Sequence, residues 1–291
     1  MVLKLNPSIF IHNNQTFALI RRETNTDNWQ ESYFYYTVCK LDKNLNIIDQ
    51  HKCNFQINNK LFWRVKRKKI RKNKYCLEDI KIYKSKINNK IIGTTNILMK
   101  EGSPRIFRVG LIEFIIKTNT IKLIKIFNKE ARNDMEKNWL IFERENEFYI
   151  IYTLFPSLII YQLNINNFTL TLYKTKNTSE VLEKNKILLN NLHKDYCDLY
   201  FTPCSLIEND IDNYTLIIKK KEKNNYYYYY KLSFDFNNFT LTLNPNLLFS
   251  GELYYLNDIK FINNKYVGCL GVCDKAFEFL DLSKYINNVD T

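Results

Sequence analysis

The chain has 291 residues, 45% of them hydrophobic, so it can bury a real core and wholesale disorder is excluded. Its formal net charge of +13 is concentrated, because Arg64 to Lys74 alone supplies eight basic residues and no acidic one. A basic face spread over the whole surface, as a dedicated nucleic-acid binder needs, is therefore not indicated.

Five times along the chain a polar cluster precedes an apolar strand, a tight polar turn and a second apolar strand. The clusters are Asn6-Pro7-Ser8, Glu78-Asp79, Glu136-Lys137-Asn138, Thr202-Pro203-Cys204 and Asn257-Asp258. Their turns fall at Asn13-Asn14, Asn88-Asn89, Glu145-Asn146, Asn209-Asp210 and Asn263-Asn264, 54 to 75 residues apart. With only 6 Gly and 5 Pro, the chain leaves the left-handed turn positions to Asn. Each module carries a second hairpin, turning at Lys43-Asn44 in the first and Thr118-Asn119 in the second. Two later copies share Asn-Asn-Phe-Thr-Leu-Thr-Leu, at Asn166 to Leu172 and Asn237 to Leu243. Alternating apolar and polar residues mark these segments as strands. Two hairpins per module make a four-stranded sheet, so the pattern predicts an all-β fold, a five-bladed β-propeller of four-stranded antiparallel blades. One domain over 1–291 is expected, with modules starting near residues 6, 77, 136, 202 and 253. The last module has room for only three clear strands. A short helix is expected in Thr178 to His193, with Ser179 as a capping residue. The five tyrosines Tyr226 to Tyr230 predict a strand with rings on both faces, a base-stacking platform being the alternative.

Seven cysteines form an odd set without a C-x-x-C pair, and the only histidines are His12, His51 and His193. Reduced structural thiols in a reducing compartment are expected, with no metal and no cofactor. The longest apolar stretch, Phe148 to Tyr161, contains Pro156 and is too short to span a bilayer. No charged leader followed by a long apolar core is visible, so the expectation is a soluble, cytoplasmic protein without a membrane partner. The run from Arg64 to Lys74 reads as a solvated loop, as a contact for polyanions or as a nuclear address.

In a propeller the clusters heading the modules converge on one channel. Glu78, Asp79, Glu136 and Asp258, with Asp274, would then share a cleft where like charges raise one another's pKa. Glycosyl transfer needs such a pair, a protonated acid for the leaving oxygen and a carboxylate to activate an acceptor. Arg21, Arg22, Lys81 and Lys137 come from the same strand ends and suit a phosphate or a sugar hydroxyl. Asn6, Asn138 and Trp139 add amides and an aromatic surface.

Taken in order, Asn6-Pro7-Ser8-Ile9, Arg21-Arg22-Glu23, Glu78-Asp79-Ile80-Lys81, Glu136-Lys137-Asn138-Trp139, Tyr152 to Pro156 and Gly271-Val272-Cys273-Asp274 resemble the five-bladed propeller glycosidases. They are most similar to family 130 of the glycoside hydrolases, the mannoside phosphorylases and mannosyltransferases. The resemblance implies an inverting enzyme of mannose-type glycosidic bonds, with Asp79 as the general acid. It implies substrate contacts from Asn6, Arg21, Glu78, Lys81, Glu136, Lys137, Asn138, Tyr152, Asp258 and Asp274. The partner would be a sugar or glycan, with phosphate or a sugar phosphate as a further ligand. Two motifs depart from the family pattern. Ile80 and Lys81 replace its Pro and Arg, and lysine cannot make a bidentate guanidinium contact. Lys219 or Lys220 stands where the fourth blade usually has a His. A diverged transferase, or a catalytically silent propeller that binds glycan or a protein partner, therefore stays open.

Overall fold

The computed structural model describes residues 2–24, 34–57, 77–100, 106–128, 137–181, 183–185, 202–221, 226–252, 254–272 and 276–287. Their strands form five sheets. The first takes β1 (Val2–His12), β2 (Gln15–Thr24), β3 (Phe34–Leu41) and β4 (Ile47–Lys52) in chain order. The second has the order β5-β9-β8-β7-β6, from β5 (Asn54–Ile57), β6 (Leu77–Lys84), β7 (Ile91–Lys100), β8 (Ile106–Ile115) and β9 (Thr120–Phe127). β10 (Leu140–Arg144), β11 (Glu147–Thr153), β12 (Ser157–Asn164) and β13 (Thr169–Asn177) form the third. The fourth consists of β14 (Thr202–Glu208), β15 (Asn213–Lys221), β16 (Tyr226–Asp235) and β17 (Thr240–Glu252). The last is three-stranded, as the short fifth module predicts: β18 (Tyr254–Ile262), β19 (Lys265–Val272) and β20 (Ala276–Asp281). These sheets are the five blades of the expected propeller.

The expected blade of four antiparallel strands holds for three of the sheets and needs one amendment in the second, where β5 pairs with β9 in parallel. The Asn54 backbone N–H donates to the Asn119 carbonyl at 2.8 Å, and the Phe55 ring meets Tyr36 edge-on at 6.2 Å. Burial of Phe55 and Ile57 against the core draws this segment onto the neighbouring sheet.

Asparagine takes many of the left-handed turn positions, as expected, but Glu145, Phe168 and Phe239 take others. Both residues of Asn13-Asn14, Glu145-Asn146 and Asn263-Asn264 have positive φ, the signature of type I′ hairpins, whose twist matches that of the strands they join. In the two near-identical turns the left-handed residue is Phe168 (φ 55°) or Phe239 (φ 54°). The preceding Asn164 and Asp235 carboxamide and carboxylate oxygens accept from the backbone N–H groups of Asn167 and Asn238. The expected helix begins at 179, but Asn177 rather than Ser179 supplies the capping oxygen, accepting from the Ser179 N–H at 2.8 Å.

The chain divides into two compact units. One comprises Met1–Asn138, Leu256–Asp258 and Cys269–Leu280, the other Trp139–Tyr255, Ile259–Gly268 and Asp281–Thr291. The first unit buries Phe10, Leu19, Tyr36, Leu77, Ile80, Ile97 and Phe114 in one apolar cluster. Each such side chain contributes about 1.5–3 kcal/mol by leaving water. The core of the second unit is aromatic. Phe142 lies 5.1 Å from Tyr214, 5.5 Å from Tyr149 and 6.0 Å from Phe236. In the tyrosine run the rings of Tyr227 and Tyr229 stack on one face, while the partly exposed Tyr226 and Tyr228 pair at 4.9 Å on the other. Packing accounts for most of that run, since Tyr229 and Tyr230 are wholly buried. Cys39, Cys53, Cys204 and Cys269 are all buried, where structural thiols were expected.

Candidate functional site

The polar clusters of the first unit lie where the ladder breaks. The β1–β2 register shifts between Leu5 and Ser8, and the β6–β7 register between Glu78 and Lys81. A bulge inserts an extra residue and re-aims its side chain. Asn6 (φ 39°) and Asp79 (φ 51°) are the left-handed residues of these bulges, and Asn138 (φ 63°) is also left-handed, just before β10. Asn and Asp accept this conformation at lower cost than most residues, which fits their use here.

The Asp79 carboxylate is the hub. Its Oδ1 accepts from the Asn6 side-chain amide and from the Arg21 guanidinium at 3.4 Å, while its Oδ2 accepts from the Asn96 amide at 3.4 Å. Asn96 in turn accepts the Asn138 backbone N–H at 3.1 Å. The ion pair is nearly dry, the two side chains being 10% and 11% exposed. Burial opposes charge on Arg21, yet Asp79, Tyr36, Glu78 and Glu23 together hold its pKa above the ordinary value. Beside the hub, Glu78 pairs with Lys137 at 3.5 Å, and the Lys137 ammonium lies 3.5 Å from the centroid of the Phe107 ring. Burial and the neighbouring Asp79 charge raise the Glu78 carboxyl above its usual range, against the opposing pull of Lys137 and Arg21.

A second set ties the strands together. Asn257 donates its amide to the carbonyls of Pro7 at 3.0 Å and Ile80 at 3.1 Å, and its own carbonyl accepts from the Lys81 ammonium. The Ser8 hydroxyl donates to Asp258 at 2.8 Å and accepts from the Ile82 N–H at 2.9 Å. Lys81 and Asp258, expected as substrate contacts, thus join β1, β6 and β18 from buried positions. Gly271 makes room for Asn6, since a Cβ there would come within 2.1 Å of the Asn6 Oδ1.

Of the residues singled out from sequence, the structure brings together Asn6, Arg21, Glu78, Asp79, Lys137 and Asn138. Tyr152 belongs to the second unit and packs against Trp139 at 4.9 Å and Tyr161 at 5.7 Å. Glu136, Asp274 and the basic run Arg64 to Lys74 lie outside the described residues. Sequence reasoning missed Asn96, and it quoted Gly271 within a motif without giving it a role. The signal for Asn96 was Thr94-Thr95-Asn96, three successive polar residues, all buried, between Ile91-Ile92-Gly93 and Ile97-Leu98-Met99 of β7. Among the described residues no group of three or more His, Cys, Asp or Glu is placed to hold a metal ion. No helix among them is long and apolar enough to cross a membrane.

No family model matches the chain, and no curated protein matches it. Solved structures do. A family 43 (GH43_1) enzyme from Xanthomonas citri complexed with xylose aligns with TM-score 0.59 and 6% identity, over 97% of this chain and 88% of that one. A thermostable family-43 glycoside hydrolase aligns at 0.57 and 10% identity, over 96% and 90%. An α-L-arabinofuranosidase from Clostridium thermocellum aligns at 0.50 and 9% identity, over 91% and 81%. At such identities the likeness shows the fold alone, a five-bladed β-propeller.

Proposed function

We propose that the protein acts on glycosidic bonds and that the cluster around Asp79 is where it does so. The observation that carries this reading is a pair of adjacent carboxyl groups in unlike surroundings. Asp79 is held by three side-chain donors, while Glu78 is mostly buried with one ammonium beside it. Glycosidic chemistry needs two carboxyl groups kept in different charge states. The fold is shared with proteins described as glycoside hydrolases, one of them in complex with xylose. The ordered motifs from Asn6 to Asp274 favour a family 130-like activity on mannose or a similar hexose, by direct displacement. Asp79 is the catalytic carboxylate of this proposal. Asn6, Arg21, Glu78, Lys137 and Asn138 surround the sugar, with Glu136 and Asp274 as further proposed contacts and phosphate as a candidate acceptor.

One observation favours a second reading, a silent propeller that binds glycan or a protein partner. Lys81, where family 130 has an arginine, spends its ammonium on the Asn257 carbonyl. The polyanion contact through Arg64 to Lys74 belongs with that reading.

The test is incubation of the full-length protein with mannose 1-phosphate, nucleotide-activated mannose and aryl mannosides, with and without acceptor sugars. Turnover by the wild type that falls at least 100-fold in Asp79→Asn supports the enzyme. Equal turnover in both rejects Asp79, and sugar binding without turnover selects the silent propeller.

A further inference from the structure

The hydrogen bonds around Asp79 fix its charge state through donors whose direction is unambiguous. A backbone N–H can only donate, so the Asn96 carboxamide must turn its oxygen to Asn138 at 3.1 Å. Its NH₂ therefore faces the Asp79 Oδ2 at 3.4 Å. Guanidinium groups likewise only donate, and Arg21 shares the Asp79 Oδ1 with the Asn6 amide. Both carboxylate oxygens are thus met by donors, the arrangement that favours the proton-free form. Glu78 is placed differently. Its backbone carbonyl accepts from the Thr95 hydroxyl at 2.9 Å, and its side chain, about one-fifth exposed, has the Lys137 ammonium at 3.5 Å.

From this geometry we infer a division of roles that rests on the glycosidic reading: Glu78 is the proton-donating acid, Asp79 is a fixed negative charge, and Asn96 is a positioning residue that keeps it so. The groups facing Glu78 are Asp79, Arg21, Lys137 and the Tyr36 phenol, and burial with the Asp79 charge outweighs the two cations. The Glu78 carboxyl is accordingly raised, the direction a general acid requires near neutral pH. In the step itself the bond from the anomeric carbon to the leaving oxygen breaks, and its electron pair stays on that oxygen. The Glu78 proton is transferred there. A hydroxyl acceptor, water or a sugar, forms the new bond to the anomeric carbon and releases its proton to solvent, from which Glu78 is later reprotonated. The Asp79 charge stabilises the cationic sugar in the transition state. This assignment differs from the acid role that the family resemblance gives Asp79.

The deciding experiment is a ¹³C-carboxyl NMR titration of the full-length protein labelled at Asp and Glu, in wild type, Asp79→Asn and Asn96→Ala. The Glu78 midpoint is expected above the ordinary 4.5 and should fall in Asp79→Asn. Asn96→Ala should raise the Asp79 midpoint. A Glu78 midpoint at or below 4.5, or one indifferent to Asp79→Asn, overturns the inference. Kinetics supply the second arm. Glu78→Gln should lose about 10²–10⁴-fold in kcat with a sugar leaving group, but less than about tenfold with 4-nitrophenyl mannoside, whose leaving group needs no proton. Equal losses on both overturn the acid role. Failure of the wild type to turn over any glycoside, with the titration behaving as expected, rejects the glycosidic reading while leaving the charge assignment standing.

Discussion

Replacing Gly271 by alanine is the sharpest perturbation of the site available away from its charged groups. Glycine within a strand is ordinarily a weakness, and Gly→Ala at an unstrained position stabilises by about 0.4–1 kcal/mol. Here the new Cβ would stand 2.1 Å from the Asn6 Oδ1 and 3.3 Å from its Cγ. Asn6 is buried, and its amide donates to Asp79, so it cannot swing away without giving up that bond. Loss of a hydrogen bond to a charged group costs about 1.5–3 kcal/mol. Overpacking adds about 1–3 kcal/mol. Gly271→Ala should therefore lose about 2.5–6 kcal/mol in urea denaturation followed by circular dichroism, with the midpoint lowered and the slope unchanged. The double variant Asn6→Ala/Gly271→Ala removes the colliding carboxamide. It should be little less stable than Asn6→Ala alone, a coupling that a double-mutant cycle reads directly. Unchanged or improved stability in Gly271→Ala would refute the reasoning, as would strict additivity in the cycle.

Three further outcomes are expected. Because burial raises Glu78, the folded state binds more protons than the unfolded one between the ordinary 4.5 and the raised value. Stability should decline as pH rises through that window and level off above it, and Glu78→Gln should flatten the decline in urea titrations at stepped pH. Ser8→Ala strips a wholly buried hydroxyl from both Asp258 and the Ile82 N–H, and should cost about 2–3 kcal/mol by the same denaturation assay. Burial pushes the Cys53 thiol up to about 12, so its peptide should stay unmodified in native protein treated with iodoacetamide at pH 8 and react in urea, as read by mass spectrometry.

Much of the fold was legible because it rests on short-range chemistry. Asn13-Asn14 and Asn263-Asn264 announce hairpins by their tolerance of positive φ, whatever the rest of the chain does. The repeated Asn-Asn-Phe-Thr-Leu-Thr-Leu builds the same turn twice. The Glu78-Asp79 cluster was equally visible, as charged residues opening an apolar strand. Asn96 was not, for its meaning depends on Asn138, 42 residues away in sequence, and on Asp79 across the β6–β7 ladder. Nor was the inward turn of Lys81, because a lysine at a strand end reads alike whether its ammonium meets a ligand or the carbonyl of Asn257, 176 residues further on.

The sequence by itself determined that the chain is all-β, that it repeats five times, and which clusters head the repeats. Alternation and turn propensity are local properties, written residue by residue. Only the tertiary structure decided what the clusters do to one another. It placed Asn6, Arg21 and Asn96 on Asp79, set Lys137 beside Glu78, and gave Lys81 and Asp258 to the joining of strands. The reason is that a carboxyl group's charge is governed by the donors and charges within a few ångströms, and folding alone chooses those neighbours.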